Sequence, residues 1–301
     1  MAVRRQRPTA RCRNDTTGRR PAGELPAAAP RQAIAEGVPL PVKITSQSNP
    51  KARYVRRLGS RAFRARERRL IVEGVRLVEE ALAAGSGVDF VFVSEDVRGT
   101  DRGRRLSESL RLAGVPMFDV SPTLLEELGD TVTSQGILAV AAWPDMAWPD
   151  SPRSVVALDG IRDPGNVGTV LRTAQAAAVD CAVVTPGTAD ATSPKVVRSA
   201  AGAHFRLPIL RAPRPQLAEL AGDSGLDVWV ADVDGDARYD SVDWRRPFML
   251  VVGGEAEGPS QEALDLGRTV HIPMPGGSDS LNAGVAAAVL LFEALRRRGF
   301  G

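Results

Sequence analysis

The stretch "LDGIRDPGNVGTVLRTAQAAAV", residues 158–179, decides how this chain is read. It begins as the end of an apolar strand, 154–160, and passes through Asp-Pro-Gly-Asn into a helix predicted over 165–179. Pro164 suits the start of a helix, and Asn166 stands in its first turn, where the amide can meet a ligand or the loop. Gly165, Gly168 and Arg172 lie at i, i+3 and i+7 and share one helical face. That spacing predicts a shallow bay bare of side chains, with a permanently charged guanidinium at its rim. A glycine-rich strand-to-helix turn carrying a surface arginine would spell the same letters.

The flanking pattern supplies the architecture. Downstream, strands are predicted at 181–186, 227–233, 248–254 and 270–274, and helices at 194–201, 214–222, 259–266 and 281–298. The strands are continuously apolar rather than alternating, which predicts a parallel sheet covered on both faces. Upstream, two basic helical segments over 49–69 precede a strand "RLIVEG" (69–74) and a helix from Val75. Strands at 88–94, 115–120 and 136–143 and helices near 103–113 and 122–128 complete a smaller α/β unit. Three prolines over 144–154 mark a connection. The predicted organisation is a flexible basic tail over 1–43, a small α/β domain over 44–143, a linker over 144–153 and a second α/β domain over 154–301.

A hydrophobic content of 43% with 25% charged residues describes a globular protein. No run of eighteen apolar residues is present, which predicts no membrane span. The N-terminus lacks the apolar core of a secretory signal, so a cytoplasmic protein is expected. Cys12 and Cys181 fit neither a disulfide framework nor a zinc spacing, and with only His204 and His271 no metal is expected. The net charge of +3 hides an asymmetry: residues 1–72 balance to +14 and the remainder to −11. One end of the chain is built to meet a polyanion, with nucleic acid the first candidate. Residues 1–43 could equally be a plain solubilising arm.

Two further clusters sit at strand ends. "LVVGGEAEGPS" (250–260) ends a buried strand in two glycines and Glu255, a carboxylate at the carboxyl edge of the sheet, where α/β proteins bind ligands. "HIPMPGGSDSLNAGVAAAVLLFEAL" (271–295) leads through a polar loop into an Ala-rich helix, with Ser280 predicted as its N-cap and Asn282 in the first turn. Neither a phosphate loop nor a dinucleotide fingerprint occurs, and no Ser-His-Asp or Cys-His set is available. Neutral, glycine-lined bays suit a nucleoside held through main-chain groups.

Three such clusters in this order resemble the three motifs of the SpoU/TrmH family of RNA ribose 2′-O-methyltransferases, of the knotted SPOUT class, over about 154–298. The stretch "FRARERRLIVEGVRLVEEAL" resembles the small RNA-binding domain, similar to ribosomal protein L30e, that often precedes them. The resemblance implies an α/β methyltransferase domain tied in a deep trefoil knot, a homodimer, and S-adenosylmethionine as cofactor. It places cofactor contacts at Gly253, Ile272 and Leu281, and functional polar groups at Asn166, Arg172, Glu255, Ser280 and Asn282. The second motif departs from the family pattern at Gly254, where a loosened loop is expected. In the family this arginine is proposed as the base. A guanidinium keeps its proton, so Arg172 is expected instead to grip the adjacent phosphate and stabilise the developing alkoxide.

The basic segment Lys51–Arg69 has nine Lys/Arg against one acid, Glu67, and Arg53, Arg57, Arg61 and Arg64 are expected to form an RNA-binding stripe. Ribosomal RNA of the large subunit is the expected substrate. A transfer RNA, or a non-catalytic role in RNA binding or ribosome assembly, is the alternative.

Overall fold

The computed structural model describes residues 43–129, 134–255 and 257–299; the predicted tail falls, but for Lys43, outside them. The first half begins with β1 (Lys43–Ile44), α1 (Pro50–Arg57), α2 (Arg61–Glu67), β2 (Arg69–Glu73) and α3 (Val75–Ala83). It continues through β3 (Val88–Val93), α4 (Glu95–Gly99), α5 (Asp101–Leu112), β4 (Met117–Val120), α6 (Pro122–Leu128) and β5 (Ile137–Ala142). Its five strands run in the order β1-β4-β3-β5-β2, with β5 antiparallel to both neighbours and the other pairs parallel. Alternate residues point to opposite faces. Ile71, Phe90 and Phe92 pack under α1, α2 and α6, whereas Leu70, Val72, Val91 and Val93 pack under α3 and α5.

The second half comprises β6 (Ser154–Asp159), α7 (Pro164–Ala176), β7 (Cys181–Val184), α8 (Pro194–Ser199), β8 (Ile209–Arg211) and α9 (Arg214–Asp223). It then adds β9 (Asp227–Ala231), β10 (Ala237–Arg238), β11 (Phe248–Gly253), α10 (Gln261–Leu264), β12 (Arg268–His271) and α11 (Ala283–Arg298). The strand order is β10-β12-β9-β11-β6-β7-β8, and every pairing among the described residues is parallel. Both faces are buried: Val156, Leu158 and Leu250 lie on the side of α7 and α11, and Val155, Ala157 and Met249 on the side of α9. Hence the unbroken apolar strands. From β6 the chain winds outward through β7 to β8, then crosses back to build β9, β11 and β12 on the other side. The carboxyl ends of β6 and β11 therefore border the crevice where ligands of open α/β sheets bind.

Several expectations shift in detail. The helix expected over 259–266 shrinks to the four residues of α10, and β1, β8 and β10 are edge strands of two or three residues, too short to show a period. Arginines 53 to 64 do not share one helix. Leu58–Ser60 break the run, and Leu58 is fully buried. Residues 143–153 carry neither helix nor strand, yet the Trp148 indole N–H donates to Ser224 Oγ at 3.3 Å and so ties this connection to the second half. No helix among the described residues is long and apolar enough to cross a membrane.

The two sheets are joined by a packed junction. Val197 and Phe205, from the second half, are buried in the same cluster as Leu70 and Val72. His204 lies beside them, its Nε2–H donating to Ala191 O at 2.6 Å, and burial holds its pKa down at about 4. The unfolded chain takes up a proton near the ordinary value of 6.5, which the folded chain refuses until about 4. Stability should therefore fall as pH drops through that interval. Denaturant titrations of His204→Leu should show this limb flattened; a pH slope equal to that of the parent protein would contradict the assignment.

Candidate functional site

The three sequence clusters converge at the carboxyl ends of β6, β11 and β12. Asp159, at the end of β6, is 1% exposed and accepts from Arg214 Nε at 2.6 Å, Thr185 Oγ1 at 2.9 Å and the Ser260 backbone N–H at 2.9 Å. Burial disfavours its charge, but these donors, Ser260 foremost, outweigh it and hold the carboxyl below its usual range. Asp159 thereby pins the loop after β11 and the start of α9 to the central strand.

That loop folds tightly back. The Gly258 N–H donates to Gly254 O at 3.0 Å, and Gly258 takes a positive φ of 67°. A Cβ on Gly253 would meet Pro259 N at 2.2 Å, and one on Gly254 would meet Gly160 O at 2.9 Å. Gly254 is thus a close contact between the ends of β11 and β6, and the loosened loop expected there is not found. Gly168 is also reassigned. It is buried, and a Cβ there would meet Ser199 Cβ at 2.2 Å, so this glycine lets α7 pack on α8 and does not floor an open bay.

Asn166, Glu255 and Asn282 are brought together from three separate elements. Asp163 caps α7 by accepting from the Asn166 N–H at 2.8 Å, which sets the first turn. Asn282 Nδ2 donates to Asn166 Oδ1 at 2.9 Å, and Asn166 Nδ2 in turn donates to Glu255 Oε1. Asn282 Oδ1 accepts from the N–H groups of Gly284 at 3.0 Å and Val285 at 3.3 Å, so Asn282, not Ser280, is the N-cap of α11. Ser280 lies two residues earlier, exposed, on the wall of the adjoining cavity. The N-termini of α7 and α11, each with positive dipole character, flank the Glu255 carboxylate.

The cavity beside this chain holds about 130 Å³ and is lined by Gly253, Ile272 and Leu281 together with Val252, Met274 and Leu290. Among the described residues its ionisable lining consists of two carboxylates, Glu255 and Asp232, with no lysine or arginine. Asp232, just past the end of β9 in "DVWVADV", was legible by the same strand-end argument that singled out Glu255, and was missed. A neutral apolar wall with glycine backbone and two carboxylates fits a nucleoside bearing positive charge, and repels a triphosphate. S-adenosylmethionine, with its adenosine and sulfonium, has this character. Among the described residues no group of three or more His, Cys, Asp or Glu is placed to hold a metal.

Arg172 is exposed on α7 and, among the described residues, has no carboxylate partner; it is not joined to the Asn282–Asn166–Glu255 chain. Arg53, Arg57 and Arg61 are exposed on the first half, Arg57 standing 4.1 Å over the Phe63 ring. Arg64 is not part of that surface. It is 3% exposed, and donates to Leu58 O at 2.6 Å, Gly59 O at 2.7 Å and Asp190 Oδ2 at 2.6 Å, so it has no face to offer a phosphate.

Comparison with known proteins agrees with this geometry. Residues 153–292 match the family described as SpoU rRNA Methylase, and residues 49–139 match the MRM3-like substrate binding domain. The chain is 32% identical to the 23S rRNA (guanosine(2553)-2′-O)-methyltransferase RlmP of Bacillus subtilis, over 83% of this chain and 98% of that protein. It is also 32% identical to the human mitochondrial rRNA methyltransferase 3, over 79% of this chain and 70% of the relative. A crystal structure of an RNA 2′-O ribose methyltransferase superposes with a TM-score of 0.74 at 32% identity, covering 85% of this chain and 99% of the other. The SpoU methyltransferase AviRb from Streptomyces viridochromogenes, in complex with S-adenosylmethionine, superposes with a TM-score of 0.72 at 30% identity, covering 83% and 98%.

Gly253→Ala tests the cavity. The added methyl meets backbone, and overpacking of this kind costs on the order of 1–3 kcal/mol. Calorimetric affinity for S-adenosylmethionine should fall on the order of tenfold or more, with the circular dichroism spectrum retained. Unaltered affinity would place the cofactor elsewhere.

Proposed function

This chain belongs to the SpoU family of S-adenosylmethionine-dependent RNA ribose 2′-O-methyltransferases, and we propose that it methylates large-subunit ribosomal RNA as a homodimer. The observation that carries the reading is the Asn282–Asn166–Glu255 chain at the mouth of a cavity whose ionisable lining, among the described residues, is acidic. The bound cofactor supplies an electrophilic methyl group on a sulfonium. The protein's task is then to align a ribose hydroxyl and ease the loss of its proton.

Gly253, Ile272 and Leu281 would hold the nucleoside through backbone and apolar contact, and Asp232 and Glu255 favour a cation there. With one oxygen of Glu255 held by Asn166, the other remains to accept the hydrogen bond of the ribose 2′-OH. The unpartnered Arg172 grips the adjoining phosphate and stabilises negative charge developing on the ribose oxygen. The trefoil knot of the family belongs to this reading, formed by the loops that return around the cavity. Ribosomal RNA is favoured over transfer RNA by the names of the relatives and by the MRM3-like head. Incubation with tritiated S-adenosylmethionine and deproteinised 23S rRNA should label the RNA at a single ribose, located by primer extension at low nucleotide concentration. Labelling confined to transfer RNA, or no labelling, would overturn the assignment.

Asn282 permits a separation of folding from chemistry. Asn282→Asp keeps the capping acceptor and suits the helix N-terminus, but loses the donor to Asn166 and sets a second carboxylate against Glu255. It should melt within a few degrees of the parent while transferring methyl groups at least about 100-fold more slowly, the order lost with one positioned group. Asn282→Ala should lose both turnover and about 1 kcal/mol of stability. A fully active Asn282→Asp protein would remove the chain from the mechanism.

The dimer reading rests on α11, where Val285 and Phe292, seven residues apart, are 48% and 46% exposed. Large apolar side chains on one helical face mark an interaction surface. Phe292→Glu should shift sedimentation at micromolar concentration from dimer to monomer. A parent protein that sediments as a fully active monomer would refute the dimer.

A further inference from the structure

The carboxyl edge of the large sheet carries a second cleft, beyond the cofactor cavity, at the ends of β7 and β8. It holds about 390 Å³ and is lined by the backbone of Pro186–Ala189, by Asp190 and Arg211, and, from the first half of the chain, by Arg61. Its charge is unbalanced. Asp190 accepts from Arg64 and Arg211 and lies 4.0 Å from Arg61 Nε, so three guanidinium groups surround one carboxylate. Burial works against the charge on Asp190, but the Arg64 and Thr192 hydrogen bonds prevail and keep it ionised below the usual range. The surplus is therefore two positive charges. Arg64 is fixed out of reach, whereas Arg61 and Arg211 are 61% and 36% exposed at the cleft mouth.

A single side chain ties the wall of the cleft to the active site. Arg214 bridges them, its Nε donating to Asp159 Oδ1 at 2.6 Å and its Nη2 to Pro186 O at 3.1 Å. Gly187, with a φ of 93°, leaves the floor bare; a Cβ there would stand 3.7 Å from Gly160 Cα and 3.8 Å from Arg214 Nη2. The loop is held rigid from behind by the bond between His204 and Ala191 O. A preorganised cleft with a bare backbone floor, two exposed guanidiniums and a surplus of two charges fits an RNA backbone phosphate.

We propose that this cleft seats a backbone phosphate of the RNA substrate, bound by Arg61 from the first domain and Arg211 from the second. This rests on the methyltransferase reading and deepens it. The RNA strand then runs along the carboxyl edge of the sheet, from the ribose at Glu255 past Arg214 to Arg61, and both domains hold the same strand.

The test uses the full chain with Arg211→Gln, Arg61→Gln and the double variant. Asp190 keeps Arg64 in each, so the junction stays paired, and unchanged unfolding midpoints and S-adenosylmethionine affinities verify this. Binding of deproteinised 23S rRNA is measured across a salt series. The logarithmic salt slope should become shallower by about 0.7 to 0.9 in the double variant, the share of one phosphate, and by less in each single variant, with affinity at fixed salt falling in step. KM for RNA should rise while turnover at saturating RNA is kept. If the parent methylates RNA and the double variant keeps its slope and KM, the cleft is not the phosphate seat and the methyltransferase reading survives. If the parent neither binds nor methylates RNA, both fall together.

Discussion

A single buried carboxylate organises the catalytic half. Asp159 ends the central strand, and around it are gathered the Thr185 hydroxyl after β7, the Arg214 guanidinium at the start of α9 and the Ser260 N–H after the returning loop. Each of these segments follows a different strand, so their loops have no covalent reason to stay together. A desolvated charge supplies one, because every donor withdrawn leaves it less compensated in a low-dielectric surrounding. Ser260 is thereby fixed to the end of β6, the Gly258 N–H bond to Gly254 O draws the returning segment in with it, and Glu255 faces Asn166. Glu255 thus stands only five residues before the Ser260 N–H that anchors the loop.

Division of labour among like residues follows from burial. Asp159 and Glu255 are both strand-end carboxylates, but the first is 1% exposed with all its donors internal, and the second is exposed with one internal donor, Asn166. Only the second has an oxygen left for a substrate. The asparagines divide similarly. Asn282 gives its oxygen to the α11 N-terminus and its amide to Asn166, and Asn166 passes its own amide to Glu255. Asparagine suits this relay because it carries donor and acceptor on one rigid plane. A serine at 282 could cap the helix, yet its single hydroxyl could not reach as far.

Much of this was legible in the sequence, and the parts that were not have physical reasons. Continuous apolar strands announced the parallel sheet, and three glycine-rich strand ends announced the site. Local spacing failed where tertiary contact decided. Gly168 looked like the floor of a bay because i, i+3 and i+7 share a face, but that face belongs to α8. Ser280 looked like a cap because serine favours that position, whereas the chain turns into the helix two residues later, at Asn282. Gly254 looked loose because the sequence does not show that Gly160 O lies within 2.9 Å of its missing Cβ. Asp232 shared the strand-end signal of Glu255 but lay in no motif, and the run of aspartates around it reads as a solvated turn.

Arg64 shows the same limit at the level of domains. In sequence it is one of nine basic residues over 51–69 and indistinguishable from Arg61. Leu58–Ser60 end α1 and re-aim the chain, so Arg61 faces the cleft while Arg64 turns inward to the carbonyls of Leu58 and Gly59 and to Asp190. Burying a guanidinium is a poor route to stability, since a well-packed apolar residue would often serve as well or better. What the ion pair adds is direction. Val197 and Phe205 can slide against the Leu70 and Val72 cluster with little loss, because apolar contact is nonspecific, but Arg64, held by the Leu58 and Gly59 carbonyls, meets Asp190 and Thr192 across the junction in one placement only. The apolar junction holds the two halves together, and the buried arginine sets the placement in which Arg61 and Arg211 face the same Asp190.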